Sequence, residues 1–254
     1  MIANSTSRFS NRVEDYVKYR PGYPAEIVTW LQENYNLLPG HLIADIGSGT
    51  GISSMLFLKA GYNVLGIEPN KEMREMSVKL LAQYPHFLAI DGTAEATSLR
   101  DKSIDAIICG QAFHWFNTQK TKPEFTRVLK KNVILVLIWT ERLTDTAFEK
   151  EYDQLIIKHG NDYLKVDHRN INTDQIASFF EPQVCELKIF ANEQVFDFDG
   201  LKGRLLSSSY MPALNEPGYD NMIIDLCNLF EKYQENDTIK ITYDTKVYAG
   251  VFNV

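Results

Sequence analysis

The sequence predicts an α/β protein, a doubly wound and mostly parallel sheet, and three observations carry that prediction. Short, unbroken apolar runs alternate with amphipathic segments through the first 140 residues, the pattern of strands buried on both faces by crossover helices. A glycine cluster, Gly47-Ser48-Gly49-Thr50-Gly51, separates the first run from the segment after it, as a strand-to-helix turn requires. Two late segments, 185–189 and 239–243, alternate polar and apolar residues instead. That period-2 pattern fits antiparallel edge strands with one solvated face.

The elements follow in order. Residues 42–46 (LIADI) read as a buried strand, and 52–60 as a helix closed by Gly61 at C′. Residues 62–67 (YNVLGI) are a second strand. Asn70 then caps a helix whose Met73, Met76, Leu80 and Leu81 share one face. Strands are predicted at 86–90, 104–109 and 133–139, with a helix at 124–130 whose Lys130-Lys131 end is solvated and favourable to the dipole. Phe148, Tyr152, Leu155 and Ile156 form a helical stripe in the second half. The expected organisation is a single domain over 1–254: an N-terminal helical lid (1–36), a ligand-binding core (37–140), helical cap segments (141–176 and 200–235) and edge strands (183–198 and 239–252).

Composition narrows the function. The chain has 254 residues, about 1.7 times a typical domain of 150. It is 44% hydrophobic and 12% aromatic, enough for a sizeable core and incompatible with dominant disorder. A net charge of −7 gives no electrostatic footprint for a phosphate backbone, so no nucleic-acid partner is expected. Three scattered cysteines without a CxxC pair argue against a disulfide framework or structural zinc. The five histidines lack HxxxH or HExxH spacing, so no metal site is read. His41, His86, His159 and His168 are read as structural or solvated. The longest apolar run, 133–139, is far too short for a bilayer, and the N-terminal stretch does not read as a secretory signal. The expected setting is cytoplasmic, with no membrane partner.

The chemistry concentrates around the glycine cluster. A strand entering glycines and then a helix places backbone N–H groups at a helix N-terminus, where they can hold an anion. Glycine also lets a ligand approach without a Cβ in the way. The spacing departs from the dinucleotide fingerprint G-x-G-x-x-G/A, since Ile52 or Ser54 falls at its last position, and no Walker lysine follows. Glu68 ends the second strand, followed by Pro69-Asn70. Its carboxylate can accept both hydroxyls of a ribose, or it is a cap for the next helix.

With these residues in view, the chain resembles the class I S-adenosylmethionine-dependent methyltransferases. DIGSGTG is similar to their first motif, GIEPN to the second, and GTAEATSLRDKSIDAIICGQAFHWF to the third and fourth. YVKYRPGYP, AFHWF and GRLLSSSYMP resemble the type-11 group that includes trans-aconitate methyltransferase-like proteins. The resemblance implies a Rossmann-like fold with S-adenosyl-L-methionine as cofactor. It implies that Gly47, Ser48 and Gly49 hold the methionine part, with Asp45 orienting its amino group. Glu68 and Pro69 then lie at the ribose, and Thr93, Ala94 and Glu95 at the adenine, where many relatives carry Asp in place of Thr93. Gln111 lies near the methionine moiety, and Arg20 is either a partner for its carboxylate or a surface arginine.

A sulfonium already carries an activated methyl group, so in-line positioning and water exclusion dominate catalysis. His114 is the candidate base, with a packing role as the alternative. Trp115 is either a substrate contact or a cavity wall. Tyr210, with Ser207, Ser208 and Ser209, is a candidate for the substrate side. The function expected is methyl transfer to a small-molecule acceptor. Its rivals are a regulatory protein that binds the cofactor without catalysis and an NAD-dependent oxidoreductase.

Overall fold

The computed structural model describes residues 18–161, 173–208 and 210–252. The N-terminal signal reading, residues 1–17 of the 1–36 segment, His168 and Ser209 lie outside the described residues. The described chain runs α1 (Glu26–Tyr35), β1 (Leu42–Ile46), α2 (Ile52–Lys59), β2 (Asn63–Ile67), α3 (Lys71–Leu80), β3 (Phe87–Ile90) and β4 (Ile104–Gly110). A 3₁₀ turn (Phe113–Trp115), α4 (Thr118–Val128) and β5 (Leu129–Arg142) follow. The second half holds α5 (Ala147–His159), α6 (Thr173–Phe180), β6 (Glu186–Phe196), α7 (Phe198–Leu206), α8 (Tyr219–Tyr233) and β7 (Ile239–Val251).

Seven strands form one sheet in the order β3-β2-β1-β4-β5-β7-β6. Strands β1 to β5 pair in parallel, whereas β7 runs antiparallel to β5 and β6 antiparallel to β7. This is the mostly parallel, doubly wound sheet with antiparallel C-terminal strands that the apolar pattern predicts. Strand order reverses between β1 and β4, so a ligand crevice belongs beyond their carboxyl ends.

Alternate strand residues feed opposite faces, which is why the runs are apolar throughout. On one face Ile43, Val64, Ile108 and Val136 pack against Ile27 and Leu31 of α1 and Phe57 of α2. On the other, Ala44, Ile107, Leu135 and Leu137 meet Phe113, Phe125 and Phe179. Each such side chain contributes roughly 1.5–3 kcal/mol when fully buried. A third cluster joins α5, α7 and α8 to Ile239, Ile241 and Tyr243 of β7.

Several element bounds differ from the sequence reading. The helix expected at 124–130 is α4, which starts at Thr118 because Asn117 caps it, accepting from the Lys120 N–H, and which tolerates Pro123 inside. Lys130 and Lys131 therefore lie in β5, where Lys130 pairs with Asp105 at 2.7 Å. Strand β5 continues through the polar Thr140, Glu141 and Arg142 because β7 pairs with it that far. The 141–176 segment divides: α5 joins the third cluster, whereas Ile176, Phe179 and Phe180 of α6 pack beneath the sheet.

Candidate active site

One cavity of about 430 Å³ opens at the carboxyl ends of the strands. Its first wall is the loop from β1 to α2. Gly47, Gly49 and Gly51 all hold positive φ, at 69°, 55° and 89°, which L side chains rarely adopt. A Cβ on Gly47 would stand 2.6 Å from the Ala112 Cβ, and one on Gly51 2.6 Å from Leu81 Cδ1. Gly51 thus serves packing against α3, while Gly47, Ser48 and Gly49 line the cavity.

The structure corrects the expected anion cradle. The Gly47 and Ser48 N–H groups donate to the Ile67 carbonyl at 2.9 and 3.2 Å, and Gly51 N–H to Ser48 O at 2.8 Å. Gly49 N–H donates to Glu68 Oε2 at 2.9 Å. Three of these four amides stitch the loop to the end of β2 and the fourth closes the turn, leaving the glycines to give close approach and not a nest of free donors.

Glu68 lies at the end of β2, 7% exposed, and lines the cavity. Its Oε1 accepts from Asn70 N–H at 2.8 Å while Asn70 caps α3. Burial raises its pKa, against the two amide bonds and Arg74, which lower it. The capping reading holds, since the carboxylate ties the loop to the helix cap, and its place on the cavity wall leaves it the candidate for the ribose.

Asp45 is the exception among the expected site residues, for it does not line the cavity. It is fully buried, and its Oδ2 accepts from Ser53 Oγ at 2.7 Å and Ser54 Oγ at 2.6 Å. Oδ1 has no hydrogen-bond partner among the described residues. Burial pushes its pKa up to about 6 against the opposing serine bonds. Ser53 itself lines the cavity, so Asp45 reaches the site through that hydroxyl.

Pro69, Thr93, Ala94, Glu95 and Gln111 line the same cavity. Thr93 and Ala96 close a tight turn after β3, and Glu95 Oε1 accepts from Asn117 N–H at 2.8 Å. Gln111 holds φ at 55°, and its side chain donates to the Thr140 carbonyl at 2.8 Å. A non-glycine residue held in this region marks stored backbone strain of the kind found at functional sites.

The far wall belongs to β5, β7 and α7. Arg20, His114, Trp115 and Tyr210 line the cavity, as expected. His114 and Trp115 rings lie 4.7 Å apart at 46°, with Trp115 39% exposed at the rim. Arg20 donates to the Ser207 carbonyl at 3.3 Å. Ser207 and Ser208 are buried in the C-terminal turn of α7 and do not line the cavity, a correction to their expected substrate role. Sequence reasoning missed Ser53, Glu141, Arg142, Arg204 and Tyr243, all of which line it. The inward-facing register of Tyr243 in its alternating strand was the available signal.

Known proteins resemble this chain chiefly over its parallel half. The methyltransferase-domain profile matches residues 44–137. An uncharacterized methyltransferase of Mycobacterium tuberculosis is 33% identical over 155 residues, 60% of this chain and 60% of that protein's length. A methyltransferase-like protein of Schizosaccharomyces pombe is 28% identical over 95% of this chain and 94% of its own. Residues 44–137 are thus similar to the methyltransferase-domain family, and the chain spans about 60% of the length of the first curated relatives it matches. A solved protein of Anaeromyxobacter dehalogenans assigned to the type II methyltransferases shares the fold, with a TM-score of 0.71 at 19% identity, covering 92% of this chain and 99% of its own.

S-adenosylmethionine is the cofactor that the resemblance to class I methyltransferases implies, and the residues at this cavity fit it. Glu68 presents a carboxylate for the ribose hydroxyls, and Gly47 and Gly49 clear a path without Cβ atoms. Thr50 Oγ1, buried without a partner beside the same loop, adds a polar group in need of one.

Proposed function

We propose that this chain transfers a methyl group from S-adenosylmethionine to a small-molecule acceptor. The observation that carries the reading is the convergence, in one cavity, of the positive-φ glycine loop and a buried ribose-competent carboxylate at the ends of adjacent parallel strands. The cofactor supplies an activated sulfonium methyl; the chain supplies position and exclusion of water. Glu68 and the Gly47–Gly49 backbone fix the nucleoside half. Gln111, locked by its strained φ and by Thr140, fixes the middle of the site. His114 stands on the wall as the base for an acceptor that must lose a proton. His114→Ala is expected to lower kcat at least about tenfold with cofactor affinity unchanged; full activity in steady-state kinetics removes the base role.

The NAD-dependent alternative loses support from the loop amides. A pyrophosphate seated on the loop needs free N–H groups, and those of Gly47, Ser48, Gly49 and Gly51, ahead of the first residues of α2, are already bonded. A nucleic-acid acceptor is disfavoured by the charge of −7. No helix among the described residues is long and apolar enough to cross a membrane. Calorimetric titration with S-adenosylmethionine, S-adenosylhomocysteine and NAD tests the cofactor. Binding of both sulfur compounds without NAD supports the reading, and binding of NAD alone overturns it. Product formation across a panel of small acceptors then separates an enzyme from a non-catalytic binder.

A further inference from the structure

Resting on that reading, the adenine side of the cavity is held in place from outside it. We propose that Glu124, which does not line the cavity, is a positioning residue for cofactor recognition: through Thr97 it fixes the Thr93–Ala96 turn on α4, and the fixed turn lets the site tell adenine from a base of the same shape.

The turn is closed on itself. Thr93 N–H donates to the Ala96 carbonyl at 3.1 Å and Ala96 N–H to the Thr93 carbonyl at 3.2 Å, while Thr93, Ala94 and Glu95 line the cavity. Such a piece moves as a whole, so its attachments set where it stands. On one side a Cβ at Gly92 would lie 2.9 Å from Ile67 Cγ2 and 3.0 Å from the Thr97 carbonyl, so the chain is already pressed against β2. On the other, Thr97 is fully buried and gives both of its donors to one atom. Its N–H and its hydroxyl reach Glu124 Oε1 at 2.8 and 2.6 Å.

Glu124 is itself locked. Arg127 takes both carboxylate oxygens, Nη2 to Oε1 at 2.7 Å and Nε to Oε2 at 2.8 Å, the side-by-side pairing that fixes a carboxylate's plane. Arg127 first, and Thr97 after it, hold the Glu124 pKa down at about 2, so the group stays charged. An i,i+3 pair at the surface contributes little by itself. Here Arg127 also donates to the Leu99 carbonyl at 2.9 Å and to Asp101 Oδ1 at 2.5 Å, so the pair ties down the chain that leaves the turn. A second tie lies about two helical turns earlier, where Glu95 Oε1 accepts from Asn117 N–H at the start of α4. Two ties roughly 10 Å apart along one helix oppose pivoting as well as sliding. The 3₁₀ turn that carries His114 and Trp115 leads into the same helix, so the adenine side and the acceptor side share one support.

The test measures, by calorimetry, the affinities of S-adenosylhomocysteine and of S-inosylhomocysteine, in which a carbonyl oxygen replaces the 6-amino group of the base. Wild type should prefer the adenine compound at least about tenfold, as a site with placed polar partners does. Glu124→Ala should weaken S-adenosylhomocysteine about tenfold and shrink the preference severalfold. Thr97→Val keeps the side chain's shape and the backbone N–H and removes only the hydroxyl. It should shrink the preference in the same direction by less, and it decides the matter if Glu124→Ala does not fold. A merely structural role lowers Tm and leaves the preference intact in the variants; that result, or no preference in wild type, overturns the proposal. Should wild type bind neither compound, the methyltransferase reading fails separately, and hydrogen exchange on the ligand-free protein decides whether the turn is held. Faster exchange of the Thr93 and Ala96 amides in Thr97→Val, with β3 unchanged, keeps Glu124 as its support, and exchange equal to wild type overturns that role.

Discussion

Asp45 shows how a single residue can serve a site it does not touch. Its folded pKa of about 6 stands above the ordinary 3.8 because burial disfavours the charge. An acid with a raised folded value binds its extra proton in the native state, so stability falls as pH rises through that window. At 1.36 kcal/mol per pKa unit the loss is on the order of 3 kcal/mol. Asp45→Asn removes this slope, and urea unfolding at about pH 4.5 and about pH 7 should show wild type losing ground to the variant as pH rises. A parallel pH dependence in both proteins places the charge elsewhere. Glu68 works the other way, by direct contact. Glu68→Gln leaves Gly49 and Asn70 N–H groups competing for one oxygen and weakens the ribose contact. Because hydrogen bonds to charged groups contribute about 1.5–3 kcal/mol, S-adenosylhomocysteine affinity measured by calorimetry should fall roughly tenfold to a hundredfold. Unchanged affinity takes Glu68 out of the site.

Among the elements, the parallel half was legible because its strands are buried on both faces, so composition alone marks them. Strand β1 and the cap of α3 fall where the sequence predicts them. The polar end of β5 was not legible, because Thr140, Glu141 and Arg142 are drawn into a strand by pairing with β7 a hundred residues on. Partners distant in sequence also hid most of α6, whose Phe179 and Phe180 fall outside every predicted segment and meet Phe113 and Phe252. Helix α5 is tied to the sheet by two carboxylates, Asp153, which pairs with Arg142 of β5, and Glu149. Glu149, 1% exposed, accepts from Asp145 N–H and Thr146 N–H through Oε2, and from Thr242 N–H at 3.0 Å and its hydroxyl through Oε1. Burial alone would raise its pKa, yet these donors lower it, so its contribution is present above the unfolded carboxylate value and fades as pH falls. Glu149→Ala should cost about 2–4 kcal/mol. Hydrogen exchange should locate the loss in α5 while β1 and β4 stay protected; equal loss in the central strands would show that α5 and the sheet open as one unit.

At the scale of the whole molecule, the cavity draws its walls from separate clusters: the glycine loop and Glu68 stand on the parallel sheet, and Arg204, Tyr210 and Tyr243 belong to the helices and strand of the third cluster or pack against it. That division explains what the sequence could disclose. The nucleoside half is built from residues close in the chain, so motif spacing exposes it. The acceptor half is assembled from β5, α7 and β7, and Arg204 meets Tyr243 only in the folded state. A ligand lying across both halves should therefore stabilise the molecule as a unit. S-adenosylhomocysteine at a hundred times its Kd contributes about 2.7 kcal/mol if it binds only the native state. For a chain of 254 residues, at about 2–4 °C per kcal/mol, Tm should rise roughly 5–10 °C, with NAD at the same concentration leaving it unmoved. Hydrogen exchange followed through the melt reports β1 and β4 of the core beside α5 and α8 of the third cluster, so the two halves can be followed together. A single shifted transition is expected with the cofactor product bound. A shift confined to the core, with the third cluster melting at its ligand-free temperature, would mean that the nucleoside half binds alone and that the acceptor wall closes only when an acceptor arrives.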